Sequence, residues 1–190
     1  MEPSDEVLCR RVAEKDDAAF DLLVTRYQQR AWRLAWSILR DAEEARDLSQ
    51  EAFVRLYQTA GSFAGRARFS TWFYRLLVNL CLDHRRRQRW WRRIFAADGV
   101  AGSGDAGSLL ERQPAETEEP GEALDRERAL KRLWEAVGRL SPQQRAAVVL
   151  YAEEGLPTRE IAAVLACSET TVRVHLHRAL RALRSTLPKG

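Results

Sequence analysis

Cysteine is scarce in this chain: Cys9, Cys81 and Cys167 are the only three among 190 residues, and no two form a Cys-x-x-Cys pair. That excludes a disulfide framework and a zinc module built on paired thiolates. No apolar run is long enough to span a bilayer and no charged-then-apolar leader opens the chain, so no direct membrane insertion is expected and the chain reads as cytoplasmic. Histidine is limited to His84, His175 and His177. Cys81 and His84 share a helix face, but no third ligand stands near them, so they read as core and neither a metal nor another cofactor is expected. No Ser/His/Asp pattern and no phosphate-cradling glycine loop appears, which argues against an enzyme. Nor does any stretch alternate apolar and polar residues between turn signals, which leaves an all-α fold.

What is present is segregated charge. Net charge is only +4, yet from Arg66 to Arg93 nine arginines face the single acid Asp83. From Asp98 to Arg128 the balance inverts, with nine acids against Arg112, Arg126 and Arg128. Between the blocks lies a Gly/Ala/Ser/Asp stretch, and the acidic part carries Pro114 and Pro120. Such composition buries too little apolar surface to order itself, so residues 94–123 read as a flexible acidic linker between domains at 1–93 and 124–190.

The first domain reads as four helices. Ser4 is positioned to cap a short helix with Val7, Leu8 and Val12 inward. A longer one carries Phe20, Leu23, Tyr27, Ala31, Leu34 and Ile38 at three- and four-residue steps. Asp41 is placed to cap the third, which turns Ala45, Leu48, Ala52, Phe53 and Leu56 inward and keeps Asp47, Gln50, Glu51 and Arg55 outside; Gly61 ends it. The fourth starts near Phe69, with Ser70 as its expected cap, and its apolar stripe is Phe73, Leu76, Leu77, Leu80 and His84. Arg75, Asn79, Leu82 and Arg86 fall opposite, with Trp72 and Asp83 on a flank. Aromatic, amide and guanidinium groups of this kind stack on exposed bases, bond base edges and hold phosphates. The alternative is an ordinary solvated helix face. Arg85 to Arg93, with Trp90 and Trp91, is too short and too polar for a membrane-surface helix.

In the second domain, Leu124, Leu130, Leu133, Trp134 and Val137 begin a helix ending near Gly138. Ser141-Pro142 reads as N-cap and first helical residue of the next, closed by Gly155. Thr158 is expected to cap a short helix through Ala166, and Ser168 a final one that buries Val172, Leu176, Ala179, Leu180 and Leu183. This is a helix-turn-helix spacing. It leaves Thr170, Thr171, Val174, His177, Arg178 and Arg181 outward, with Arg173 at the edge, as a recognition helix presents them to a major groove.

Asp47-Leu-Ser-Gln-Glu-Ala-Phe-Val-Arg-Leu-Tyr57, Phe69-Ser-Thr-Trp-Phe-Tyr-Arg-Leu76 and Asn79-Leu-Cys-Leu-Asp83 followed by Arg85-Arg-Arg87 resemble the N-terminal domain of extracytoplasmic-function (ECF) sigma factors. Leu140-Ser-Pro-Gln-Gln-Arg145, Glu160-Ile-Ala162, Thr171-Val-Arg173 and Leu176-His-Arg-Ala179 resemble the C-terminal domain of the same family. The resemblance implies a factor that joins core RNA polymerase (β and β′ subunits) and directs it to promoter DNA. It implies polymerase contacts at Asp47, Gln50, Glu51 and Arg55. It implies minus-ten contacts at Phe63, Phe69, Trp72, Asn79, Asp83 and Arg86, with the Phe63 to Phe69 loop holding an extruded base. Minus-thirty-five contacts are implied at Thr171, Arg173, Val174, His175, His177 and Arg178, His175 holding phosphate. Ala166 replaces the family's turn glycine, and Val174-His175 replaces a common serine-arginine pair. The family also implies an anti-sigma factor, and no stretch here reads as self-inhibitory. Taken alone, the second domain equally fits a helix-turn-helix activator of response-regulator type that never becomes a polymerase subunit.

Overall fold

A computed structural model of the protein describes residues 2–97 and 136–184, and no strand occurs among them. The expected linker beyond Ala97 and the start of the helix at Leu124 lie outside the described residues. Seven helices follow in order: α1 (Asp5–Ala13), α2 (Asp17–Leu39), α3 (Ala42–Thr59), α4 (Phe69–Ala97), α5 (Pro142–Ala152), α6 (Thr158–Leu165) and α7 (Glu169–Arg184). A further helical turn covers 136–139, running through Gly138 rather than ending there.

The capping logic holds at four of the expected starts. The Ser4 hydroxyl accepts from Val7 N–H, Asp41 Oδ1 from Glu44 N–H at 2.9 Å, and Ser168 Oγ from Thr171 N–H at 3.1 Å. Ser141 and Gln144 close a reciprocal capping box ahead of Pro142. Two expected caps are displaced. Ser70 lies inside α4, whose first turn is closed by Trp72 N–H on the Arg68 carbonyl, and Thr158 is the first residue of α6, preceded by Pro157. Each is displaced because the preceding residue already stops the helix, so the hydroxyl is free for long-range work: Thr158 Oγ1 donates to Glu169 at 2.6 Å.

The first unit packs α1, α2, α3 and α4 around Leu8, Leu23, Leu34, Ile38, Leu56, Phe73 and Leu77, all fully buried. Each such side chain stabilises by about 1.5–3 kcal/mol relative to exposure. Tyr27 anchors the aromatic part, with Phe69 and Phe73 edge-on at 5.2 and 5.5 Å. The second unit packs α5, α6 and α7. Its tight turn is made by Ala166 at φ 50°, ψ 46°, a left-handed residue that costs roughly 1–2 kcal/mol where glycine would be neutral. Leu180 departs from the expected stripe and is 48% exposed.

The two units expected from the sequence are packed against each other, α5 on α2 and α6 on α4, and share one apolar cluster. Polar groups from the second unit are seated in the first. Arg145, only 6% exposed, donates to the Ser37 carbonyl, to the Ile38 carbonyl at 3.0 Å and to its own unit's Leu140 carbonyl at 2.6 Å. It thereby covers the open carbonyl end of α2, where a cation is favoured by the helix dipole. Tyr74 donates to Glu154, whose carboxylate also lies 3.8 Å from Arg30, and Thr71 donates to Glu160 at 2.6 Å. Glu153 pairs with Arg33 at 3.3 Å, and Arg68 lies 3.6 Å from Glu160.

Candidate nucleic-acid interface

Three helices turn a polar face away from this body. On α3 the exposed stripe is Asp47, Gln50 and Arg55, with Glu51 half-exposed and paired to Arg55 at 2.9 Å. The opposite side buries Ala45, Ala52, Phe53 and Leu56, so the stripe is held rigidly outward. Exposed Val54 sits in the middle of it, four residues after Gln50, and sequence reasoning passed over it. Its signal was positional: an apolar residue on the outward side of an otherwise regular amphipathic helix.

On α4, Arg75, Asn79, Asp83 and Arg86 are exposed, and Asp83 and Arg86 form an ion pair. Trp72 is half-buried, its ring 5.5 Å from half-buried Phe63. These residues occupy the outward positions expected of them. Phe69 does not. It is fully buried, stacked on Phe73 at 5.9 Å and edge-on to Tyr27, while its backbone N–H donates to Glu6 at 3.1 Å. Phe69 therefore fastens the loop to the core, and no base reaches its ring without unpacking that core. The Glu6 carboxyl is held below its ordinary value chiefly by this backbone hydrogen bond at the start of α4. Ala64 to Arg68 are exposed, with Gly65 at φ 66°, a left-handed conformation that glycine adopts without strain.

On α7, Arg173, Val174, His177 and Arg178 are exposed and Thr171 half-exposed, while Val172 and Ala179 face inward. Arg173 pairs with Glu169 at 2.8 Å, and Glu169 also accepts from Thr158, so the first turn of α7 is tied to α6. Both bonds lower the Glu169 carboxyl. His175 departs from its implied role. It is half-buried with Nδ1 buried and without a hydrogen bond, and burial, with Arg178 nearby, lowers its pKa. At neutral pH it is an uncharged imidazole, a poorer phosphate holder than the neighbouring arginines.

Among the described residues no three His, Cys, Asp or Glu side chains gather where they could hold a metal ion. Burial pushes the Cys81 thiol up to about 12, and His84 Nε2 lies 3.3 Å from Glu44. Among those residues, no helix is long and apolar enough to cross a membrane.

Family comparison agrees with these spans. Residues 23–91 match the model for sigma-70 region 2, which includes α3 and most of α4, and residues 130–183 match sigma-70 region 4, which includes α5 to α7. The chain is 33% identical over 186 residues to the RNA polymerase sigma-H factor of Pseudomonas aeruginosa, covering 96% of this chain and 93% of that protein. It is 32% identical over 181 residues to the ECF RNA polymerase sigma-E factor of Escherichia coli, covering 95% and 92%. In fold it is similar to the sigma factor RpoE of Bartonella quintana, solved in complex with the anti-sigma factor NepR. That likeness has a TM-score of 0.64 at 20% identity, over 88% of this chain and 95% of that one.

Proposed function

Since the chain belongs to the ECF group of sigma-70 RNA polymerase sigma factors, we propose that its three outward faces divide the work of initiation. The α3 stripe of Asp47, Gln50, Glu51 and Arg55, with Val54 at its centre, docks on core polymerase. The α4 stripe of Trp72, Asn79, Asp83 and Arg86, with Phe63 beside it, takes up unpaired bases and backbone at the minus-ten element. The exposed start of α7 reads the minus-thirty-five element. The protein catalyses no reaction of its own and acts in the cytoplasm. The observation that carries this reading is that each polar face stands outward on a helix whose other side is buried, and each lies within a sigma-70 match.

Melting a promoter without ATP hydrolysis requires that unstacking, a few kcal/mol per base, be offset by new contacts. A base stacked on an aromatic ring returns ~1–3 kcal/mol, and Trp72 with Phe63 offers such a surface. Arg173 and Arg178 are placed to donate to guanine edges, and Val174 to meet a thymine methyl.

The packed arrangement has a consequence for this task. A folded chain of this size is a body roughly 40 Å across, whereas elements centred near minus ten and minus thirty-five lie about 85 Å apart along B-form DNA. One closed body cannot touch both, so the α2/α5 and α4/α6 contacts must part when promoter DNA is engaged. A protein that held those contacts closed, or covered the α3 stripe, would act as an anti-sigma factor, and such a partner is part of the proposal.

The test is run-off transcription from genomic fragments with core polymerase and the purified chain. Specific start sites and co-sedimentation with core support the reading; binding to duplex promoter without association with core overturns it. The activator alternative finds no support in the comparisons, because the region 2 match covers helices that such an activator does not need.

A further inference from the structure

The outward stripe of α4 does not end with the body of the molecule. Stepping by three or four residues from Trp72 gives Arg75, Asn79, Asp83, Arg86, Trp90 and Arg93, one nearly straight line along a helix of 29 residues. Up to Gln88 the helix is tied to its neighbours: Arg85 donates to the Ile38 carbonyl at 2.6 Å, and Gln88 to Glu44. From Arg89 to Ile94 every residue is exposed. Trp90 and Trp91 are 57% and 51% exposed, their rings edge to face at 4.9 Å. From Arg85 to Arg93 there are six arginines and no acid. A helix end built only for solubility has no use for two adjacent indoles, so the patch calls for an anionic partner with an apolar component.

We propose that Arg89, Trp90 and Arg93 bind the backbone of duplex DNA just upstream of the minus-ten element. This rests on the reading that the stripe from Trp72 to Arg86 faces that element. Continuity supports it, because Trp90 and Arg93 prolong the same line. Chain direction places the segment upstream: α4 leads, through the intervening chain, to the unit that reads the minus-thirty-five element. Arg93 lies fourteen residues beyond Asn79, about 21 Å along the axis, which corresponds to about six base pairs of B-form duplex. Arg89 and Arg93 neutralise phosphates, and the apolar face of Trp90 packs on sugar or a thymine methyl in the groove between them. The contact is largely independent of sequence and strengthens attachment to the spacer while the downstream strands separate.

The experiment uses holoenzyme reconstituted from core polymerase and the full chain, on a promoter found by run-off transcription. Two fork-junction probes are made from it, one with duplex ending at the minus-ten element and one with a further helical turn of duplex, too short to reach the minus-thirty-five element. Wild type is expected to bind the long-armed probe more tightly. Arg89→Gln with Arg93→Gln is expected to abolish that advantage and to lower the slope of log affinity against log salt on the long-armed probe by roughly two. Trp90→Ala is expected to reduce the advantage in part. All three positions are exposed, and an unchanged thermal melt checks the fold. An advantage that persists in the double variant, or is absent from wild type, overturns the proposal. Asn79→Ala on the short-armed probe separates the two layers. If it weakens binding while the double variant does nothing, only the extension is wrong; if neither matters, the assignment of α4 to the minus-ten element fails with it. Vesicles of phosphatidylglycerol and phosphatidylcholine form the last arm. Vesicle binding lost in the double variant, with both probes bound as by wild type, would assign the surface to a membrane and overturn the proposal.

Discussion

The protein has two joints of different chemistry. Inside the first unit, α4 meets α2 through Phe69, Phe73 and Tyr27, fully or nearly buried rings packed at 5.2 to 5.9 Å. Between the units, shared apolar packing is joined by seated polar groups, Arg145 on the end of α2, Glu154 on Tyr74 and Glu160 on Thr71. Apolar rings gain from any close contact, so the first joint is strong and has no use for opening. Buried polar groups gain only from correctly placed partners and are otherwise satisfied by water. The second joint therefore specifies one docking orientation while sacrificing less when it parts. A factor that must stretch across two promoter elements needs that asymmetry.

The largest effect tests the first joint. Phe73→Ala removes a fully buried ring and is expected to cost about 3–5 kcal/mol, seen as a lower denaturant midpoint for the whole described body. If the loss is confined to the second unit, the joints have been misassigned. Arg145→Ala is the matching cut at the second joint. It strands carbonyls of Ser37, Ile38 and Leu140, a loss of about 1–3 kcal/mol. The stranded α2 carbonyls recover water if the units separate, so small-angle scattering should report an expanded chain with unchanged helical circular dichroism. Arg145→Lys should rescue little, because one ammonium cannot reproduce the planar fork. An unaltered radius in both variants would refute the idea that this side chain holds the units together.

Smaller effects come from faces outside both joints. Arg173→Ala and Arg178→Ala should leave the melting curve in place and relax preference at one base pair each by ~1–3 kcal/mol in a promoter library. Uniform weakening across sequences would make them phosphate clamps instead. Asp47→Ala with Gln50→Ala should lower affinity for core polymerase in a fluorescence titration with stability unchanged; full affinity would remove α3 from the interface. The smallest expected effect is acid sensitivity at Glu6. Its folded pKa lies below the ordinary 4.5, so its contribution is complete above that value and is lost as pH falls through the depressed one. Glu6→Gln should flatten that part of the melting-temperature profile, and an unchanged profile would show that the Phe69 N–H does not depend on the carboxylate.

Much of the site was legible because it rests on local periodicity. Asp47, Gln50, Asn79 and Arg86 fall outward, and Leu23, Leu56 and Leu77 inward, as a 3.6-residue repeat requires. Four caps were equally legible, since a hydroxyl or carboxylate three residues ahead of an orphan N–H is a local event. Phe69 was misjudged for a related reason: at a helix start the period has not begun to repeat, so nothing local says whether the ring turns out to a base or in to Tyr27. Leu180 shows the converse, an apolar residue at a plausible inward step that stays exposed.

Sequence by itself determined the seven amphipathic helices, the outward polar faces on α3, α4 and α7, and the left-handed alanine in the turn, because dihedral preference, capping and helical period act between residues a few positions apart. Only the tertiary structure decided that the second unit docks on α2 and α4, that Arg145 ends its reach on carbonyls more than one hundred residues earlier in the chain, and that α4 continues as an exposed Arg/Trp spike to Ala97. A helical repeat announces that a side must be covered without naming what covers it. A lone arginine in α5 looks like any other until its partners, distant in sequence, are brought within hydrogen-bonding range.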